Sequence, residues 1–264
     1  MLRALYTAAT GMECQQTNID VISNNIANVN TTGFKKSRAE FQNLLSQNIQ
    51  IPGSLGDQGT TLPVGTQIGL GVKTAATQKM FLPGSIFETD NPLDVAINGN
   101  GFFKVQMDNG QFAYTRDGSF KMDANGQLVT SEGFVVQPAI TIPTNATSIT
   151  IGENGTVSVQ QPGTSTLNQV GQLTITQFAN PAGLIDIGDN LLVQSPASGD
   201  PTDGVAEQGN LQSTTLTQGF LENSNVQIVE EMINMITAQR AFEANSNVIK
   251  SSDEILQKLN NLTT

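Results

Sequence analysis

The chain has 264 residues and a mass of 28.0 kDa, with 12 Lys and Arg against 23 Asp and Glu, a net charge of -11, no His, no Trp and a single Cys, Cys14. Without imidazole there is no Ser-His or Cys-His nucleophile pair and no His metal ligand, and one thiol builds neither a disulfide framework nor a thiolate cage. The acidic balance argues against nucleic acid as a partner, because phosphate contacts need a basic face, and no apolar run reaches the roughly 18 residues of a membrane span.

In chain order, the first pattern is helical. Leu5, Met12, Ile19 and Ile26 stand seven apart, and Ala8, Gln15, Ile22 and Val29 follow each by three. This predicts a helix from Leu2 to about Val29 with an a/d seam over nearly four heptads. Asn18, Asn24, Asn25 and Asn28 weigh against it as poor helix formers. No solid apolar core with a small-residue cleavage site follows Arg3, so the chain is expected to be cytoplasmic, or exported without a cleaved signal peptide.

The middle reads as β. Residues 51–71 are rich in Gly, Thr and Gln with little pattern, a long loop or extended arm. Residues 95–98, 101–106, 112–116 and 127–130 are short strand candidates between turn signals. The clearest hairpin joins 148–151 to 156–159 through Asn154-Gly155, with period-two alternation in both arms, and residues 123–126 look like a second such turn. The stretch 122–239 contains no Lys or Arg but eleven acids, whereas the first 45 residues are close to neutral. That distribution suggests a solvated outer body between ends meant to touch protein.

The last pattern is again helical, from about Asn225 to Leu262. Ile228, Met235, Phe242, Ile249 and Leu256 stand seven apart, and Ala241, Val248, Ile255 and Leu262 widen the stripe. Glu230 and Glu231 near its start and Lys250 and Lys258 near its end suit the helix dipole. Ordering about 30 helical residues costs roughly 1–2 kcal/mol each in backbone entropy. Helix hydrogen bonds and a fully covered stripe offset that cost, and an exposed stripe does not. The terminal zones are therefore expected to fray in a free monomer and to be helical against partners.

Several chemical motifs are approached and missed. Asp123, Asn125 and Gln127 begin like a calcium loop, but Leu128 and Phe134 stand where Gly and Glu are needed, which leaves a β-turn. Gly69, Gly71, Lys73 and Thr74 fit a phosphate loop only loosely, and Gly99 and Gly101 lack the third Gly of a dinucleotide fingerprint. Asp186 and Asp189 could serve as a carboxylate pair for glycoside hydrolysis, with nothing to align them. Cys14, beside the seam, reads as a small buried residue.

Three separated stretches resemble bacterial flagellar rod and hook proteins. They are residues 24–35 (NNIANVNTTGFK), the body segments 94–103 (DVAINGNGFF) and 114–120 (YTRDGSF), and the tail 224–245, which includes Gln239, Arg240 and Phe242. Asn24, Asn25, Asn28, Gly33, Phe34, Gln239 and Arg240 carry the family motif in this sequence. The length and residues 60–72 look like the distal-rod branch.

The resemblance implies a mixed α and β fold, in which N- and C-terminal helices form a coiled-coil-like pair enclosing a mainly antiparallel β body. The division expected is 1–34 with 225–264 as an inner-tube domain, 35–75 with 205–224 as a connecting region with an extended loop, and 76–204 as an outer domain. It further implies a structural subunit of a stiff hollow drive shaft that transmits torque to the hook, with residues 47–66 packed between subunits as a stiffening insertion. Phe41 and Leu45 resemble an element that engages the flagellar export gate. The partners implied are further copies of the chain in a helical filament, proximal rod and hook proteins, the surrounding P-ring and L-ring proteins and the type III export apparatus, at a basal body spanning periplasm to outer membrane. No catalysis, cofactor or metal is expected. A proximal rod or hook subunit, and a secreted carbohydrate-active β enzyme, stay open as alternatives.

Overall fold

The computed structural model describes residues 2–50, 64–163 and 166–262. It is a mixed α and β protein in which a helix at each end of the sequence, α1 (Leu2–Ala27) and α2 (Ile228–Leu262), flanks an antiparallel β body. The two helical predictions hold to within two or three residues at their inner ends. The chain divides into two compact units, residues 1–26, 37–78 and 227–264, and residues 27–36 and 79–226.

In the first unit, α1 and α2 run antiparallel. Asn25 Nδ2 lies 3.3 Å from Glu231 Oε2, and a methyl group on Gly11 would come 2.8 Å from Asn245 Nδ2. Both contacts lie on one register: Gly11, Asn18 and Asn25 descend by sevens along α1 while Asn245, Ala238 and Glu231 descend along α2. At 1.5 Å per residue that register is kept over about 21 Å. Apart from Glu231, small and amide side chains hold these positions, so the helices approach closely on one face. An antiparallel ribbon, Ser37–Asn43 with Val72–Lys79, completes this unit. It reaches α1 where Thr74 Oγ1 meets Cys14 Sγ at 3.8 Å, and Cys14 is buried.

The long arm read from residues 51–71 is not wholly patternless. Gln47–Gln50 pairs antiparallel with Thr66–Ile68, so a ladder closes the base of this stretch. Residues 51–63, most of the predicted insertion, lie outside the described residues.

The second unit holds the core. Its largest sheet runs, in spatial order, Ile185–Gly188, Leu191–Val193, Phe112–Thr115, Phe102–Gln106, Val135–Gln137, Leu128–Val129 and Lys121–Met122, with Ile175–Gln177 also on Phe102–Gln106. The predicted hairpin forms, with Ile151 opposite Val157 and Gly155 in the left-handed region its turn requires. Phe103, Val105, Val95 and Ile175 are wholly removed from water at the centre, where the rings of Phe103 and Phe120 meet edge to face at 4.9 Å. Two short ladders bring late strands back beside early ones: Thr215–Gln218 on Val95–Asn98, and Phe220–Glu222 on Ile86–Glu88. Those returns place Glu222 at the site described next.

Candidate functional site: a buried ionic clasp and the helix seam

Glu222 ends its strand with its side chain almost wholly buried. Two cations converge on it: Lys35 Nζ donates to Oε1 at 2.6 Å and Arg116 Nε donates to Oε2 at 2.6 Å, each from a side chain no more than 6% exposed. The Gly84 amide adds a bond to Oε1 at 2.7 Å, and the Glu222 carbonyl accepts from the Gly33 amide at 2.8 Å. Burial alone would push the Glu222 carboxyl up, but Arg116 and Lys35 outweigh it and hold the group below the usual carboxylate range. Burial pushes the Lys35 ammonium below its ordinary value against the pull of Glu222.

The rest of the clasp is backbone. Arg116 Nη1 donates to the Gly101 carbonyl at 2.5 Å, and Nη2 to the carbonyls of Gly99 at 2.5 Å and Ile97 at 3.2 Å. Gly99 and Gly101 therefore turn their carbonyls into an arginine cradle. Gly101, at φ 142°, has no room for a side chain beside Ile175. Gly33, at φ 68°, lies against the backbone of Arg116 and Asp117, where a methyl group would fall 2.7 Å from the Asp117 nitrogen. Asn225 fastens the same region: its Oδ1 accepts from the Lys36 amide at 2.8 Å, and its Nδ2 donates to the Met80 carbonyl at 2.8 Å. Thus the residues after α1, the YTRDGSF segment and the approach to α2 close on one carboxylate.

Asn25 works in a similar way in the helical unit. Its Oδ1 accepts from the Ser37 amide at 2.9 Å and its Nδ2 donates to the Ser37 carbonyl at 2.9 Å, so the side chain pairs with the backbone as a strand neighbour would. It also reaches the buried Glu231. Asn28 accepts from the Thr31 hydroxyl in the turn after α1, and Phe34 sits with its ring 5.8 Å from Lys79 Nζ. Asn24 is exposed.

Of the predicted seam residues, Ile22 is buried; Leu5, Met12, Ile19, Ile26 and Val29 are half-buried, as are Met235, Phe242 and Ile249. Ile228 and Leu256 are exposed. Among the described residues the buried positions of α2 are instead Glu231, Ala238 and Ser252, each three after one predicted apolar position and four before the next. Opposite this face α2 shows a second apolar stripe, Val229, Met232, Ile233 and Ile236, each between 54% and 72% exposed. Gln239 is exposed, and Arg240 pairs with Glu243 on the surface. Phe41 and Leu45 are 38% and 88% exposed on and just after their strand.

The remaining chemical candidates are occupied. Asp123 Oδ1 accepts from the amides of Gln127 at 2.7 Å and Asn125 at 2.9 Å, so its carboxylate caps a turn. Asp186 is bound to Lys79 at 2.5 Å, and Asp189 is a positive-φ turn residue. Among the described residues no cluster of His, Cys, Asp or Glu could hold a metal ion, and no helix is long and apolar enough to cross a membrane. Sequence reasoning passed over Glu222, Arg116 and Lys35 as site residues. The available signal was a Glu at the end of a short strand, more than 100 residues from either cation that neutralises it.

A β body that closes on a buried carboxylate and a helix pair with an uncovered apolar face define the class of a structural protein. Profiles of three families match along the chain: "Flagella basal body rod protein" at residues 5–35, "Flagellar hook protein FlgE/F/G D1 domain" at 96–159, and "Flagellar basal body rod FlgEFG protein C-terminal" at 217–262. The chain is 47% identical to the flagellar basal-body rod protein FlgG of Buchnera aphidicola subsp. Schizaphis graminum over 99% of this chain and 100% of that one. It is 49% identical to FlgG of Borreliella burgdorferi over 99% of both chains, and 44% identical to FlgG of Bacillus subtilis over 99% of both. The flagellar hook protein FlgE of Helicobacter mustelae is 49% identical over 52% of this chain but only 30% of its own length. The chain belongs to the flagellar basal-body rod protein family, and is a structural rod component of the FlgG type.

Proposed function

We propose that the protein is a subunit of the distal rod, a stiff hollow shaft built by polymerisation of this chain between the proximal rod and the hook. The observation that carries the reading is the second apolar stripe of α2. Val229, Met232, Ile233 and Ile236 lie on the face turned away from the α1 register and stand in water in a single chain. An apolar stripe of this kind is a protein interface, and a heterologous contact repeated with a screw rotation gives a filament. In this reading residues 1–34 and 225–264 line the inner tube, 35–75 and 205–224 connect, and 76–204 form the outer wall. Leu5, Met12, Ile19, Ile22, Ile26 and Val29 complete the inner seam with the apolar series of α2.

The end-to-end match to FlgG chains supports a rod subunit over a hook subunit, whose relative is matched over a minority of its length. The role is structural, with torque carried by many parallel helices. Phe41 and Leu45, exposed near the base of the residue 47–66 stretch, would engage the export gate before assembly. The acidic exterior would turn within P- and L-ring proteins without adhering.

The test is the double variant Ile233→Glu, Ile236→Glu. It is expected to leave the far-ultraviolet spectrum and unfolding midpoint of the monomer unchanged while abolishing polymerisation in vitro and swimming in a complemented strain. Filaments from the double variant would refute the reading. Removing residues 47–66 is expected to leave polymers that are curved or less stiff by electron microscopy, and straight ones would refute the distal-rod assignment.

A further inference from the structure

A cavity of about 310 Å³ opens over the clasp, lined by Lys35, Arg116, Phe81, Phe102, Phe178 and Gln177, among others. Among the described residues no carboxylate lines it. The clasp beneath contains two cations and one carboxylate, so a net positive charge remains on side chains that are at most 6% exposed. Its donors are also incompletely used. Arg116 has five N–H groups, of which four meet Glu222, Gly101, Gly99 and Ile97. Lys35 has three, of which two meet Glu222 and the Leu82 carbonyl. One N–H of each cation is left, and both residues line the same cavity. The lining also holds an aromatic cluster: Phe102 meets Phe81 at 5.3 Å and Phe178 at 6.0 Å between ring centres, both edge to face.

We propose that this cavity is an anion site that takes a carboxylate carried on an apolar body, the carboxylate between Lys35 and Arg116 and the body against Phe81, Phe102 and Phe178. A carboxylate balances the charge, accepts both remaining N–H groups, and suits a cavity at the small end of ligand sites. A phosphate dianion would overcompensate the single net charge and leave the aromatic wall unused. The carboxylate has two sources. One is a free small molecule; the other is an acidic side chain of a neighbouring copy, which brings a stretch of eleven acids with no cation, residues 122–239.

Calorimetric titration of benzoate, and of neutral benzamide, into the full-length monomer tests the site. Benzoate is expected to bind once per chain, and benzamide at least about tenfold more weakly, about 1.4 kcal/mol. Lys35→Met leaves Arg116 and Glu222 as a balanced pair and is expected to abolish benzoate binding. Gln177→Glu places a carboxylate on the wall and is expected to weaken benzoate at least tenfold while raising the melting temperature. Absence of saturable benzoate binding, equal binding of benzamide, or undiminished binding by folded Lys35→Met overturns the proposal. Should Lys35→Met not fold, unchanged affinity in Gln177→Glu does so. Benzoate added during polymerisation separates the sources: slowed elongation assigns the site to a neighbour's carboxylate, and benzoate retained in the filament assigns it to a free ligand. Only this last arm rests on the subunit reading. A chain that binds benzoate and never polymerises keeps the site and loses that reading.

Discussion

The β body and the terminal helices solve the problem of burial differently. In the body every large apolar side chain at the centre is removed from water within one chain, and the buried carboxylate of Glu222 has three donors. In α2 the buried face is Glu231, Ala238 and Ser252, while Val229, Met232, Ile233 and Ile236 remain in water. A helix that spends its small and polar residues on its own partner and keeps its isoleucines for solvent is incomplete alone. The body buries its core within one chain, and on the subunit reading proposed above the helices reach full stability when other copies cover them. Hydrogen exchange should therefore be slow in the strands and fast in α1 and α2 of the monomer, with helix exchange slowing on polymerisation. Equal protection in both regions of the monomer would erase the contrast.

The largest single effect is expected at Glu222. Glu222→Ala leaves Lys35 and Arg116 buried without a counter-charge, and removing one partner of a buried ion pair costs about 3–5 kcal/mol. Urea unfolding followed in the body should show it, whereas Arg38→Ala, in a pair exposed at both ends, should cost less than about 1 kcal/mol. The pH dependence has a defined sign. The folded Glu222 carboxyl lies below its unfolded value, so its stabilisation is fully present above the unfolded value of about 4.3. It is lost as the pH falls through the lower folded value. Wild type should lose body stability on acidification more steeply than Glu222→Gln.

A smaller loss is expected where the body's logic recurs in the helices. Asn25→Asp removes both Nδ2 donors and sets a second carboxylate beside buried Glu231 and the Ser37 carbonyl. Leaving such groups unpaired costs about 1–3 kcal/mol. The loss should appear as faster amide exchange in α1 and in Ser37–Asn43, with the core strands unaffected. A loss spread evenly over both regions would mean that the helices and the body unfold together.

The sequence shows the elements far better than it shows what joins them. Seven-residue spacing locates both helices because apolar periodicity is local, and Asn154-Gly155 locates its hairpin because turn chemistry is local. The strands Ser37–Asn43 and Val72–Lys79 escape the same reading because they are mostly exposed and polar and lack clean alternation. The clasp escapes because Lys35 and Glu222 stand 187 residues apart, and Arg116 and Glu222 106. Nothing in the spacing of charges pairs them. The seam is half legible. Apolar residues mark the stripe, but the register is held by Gly11, Asn25, Ala238 and Asn245, which a hydrophobic count passes over.

Arg240 gives the smallest effect on the monomer. Its guanidinium meets Glu243 at 2.9 Å, three residues on, with both side chains well exposed. Such a pair contributes about 0.3–0.5 kcal/mol, so Arg240→Ala should leave the unfolding midpoint within about 0.5 kcal/mol of wild type. Yet Arg240 follows Ile233 and Ile236 by seven and four residues, and so continues the uncovered stripe along the same side of α2. Its five donors suit an interface with an acidic neighbour better than a surface pair. Polymerisation of Arg240→Ala should therefore be slower, or need more protein, while Arg38→Ala, another exposed pair away from the stripe, polymerises as wild type does. A variant equal to wild type in both measurements would limit the subunit contact to the isoleucines.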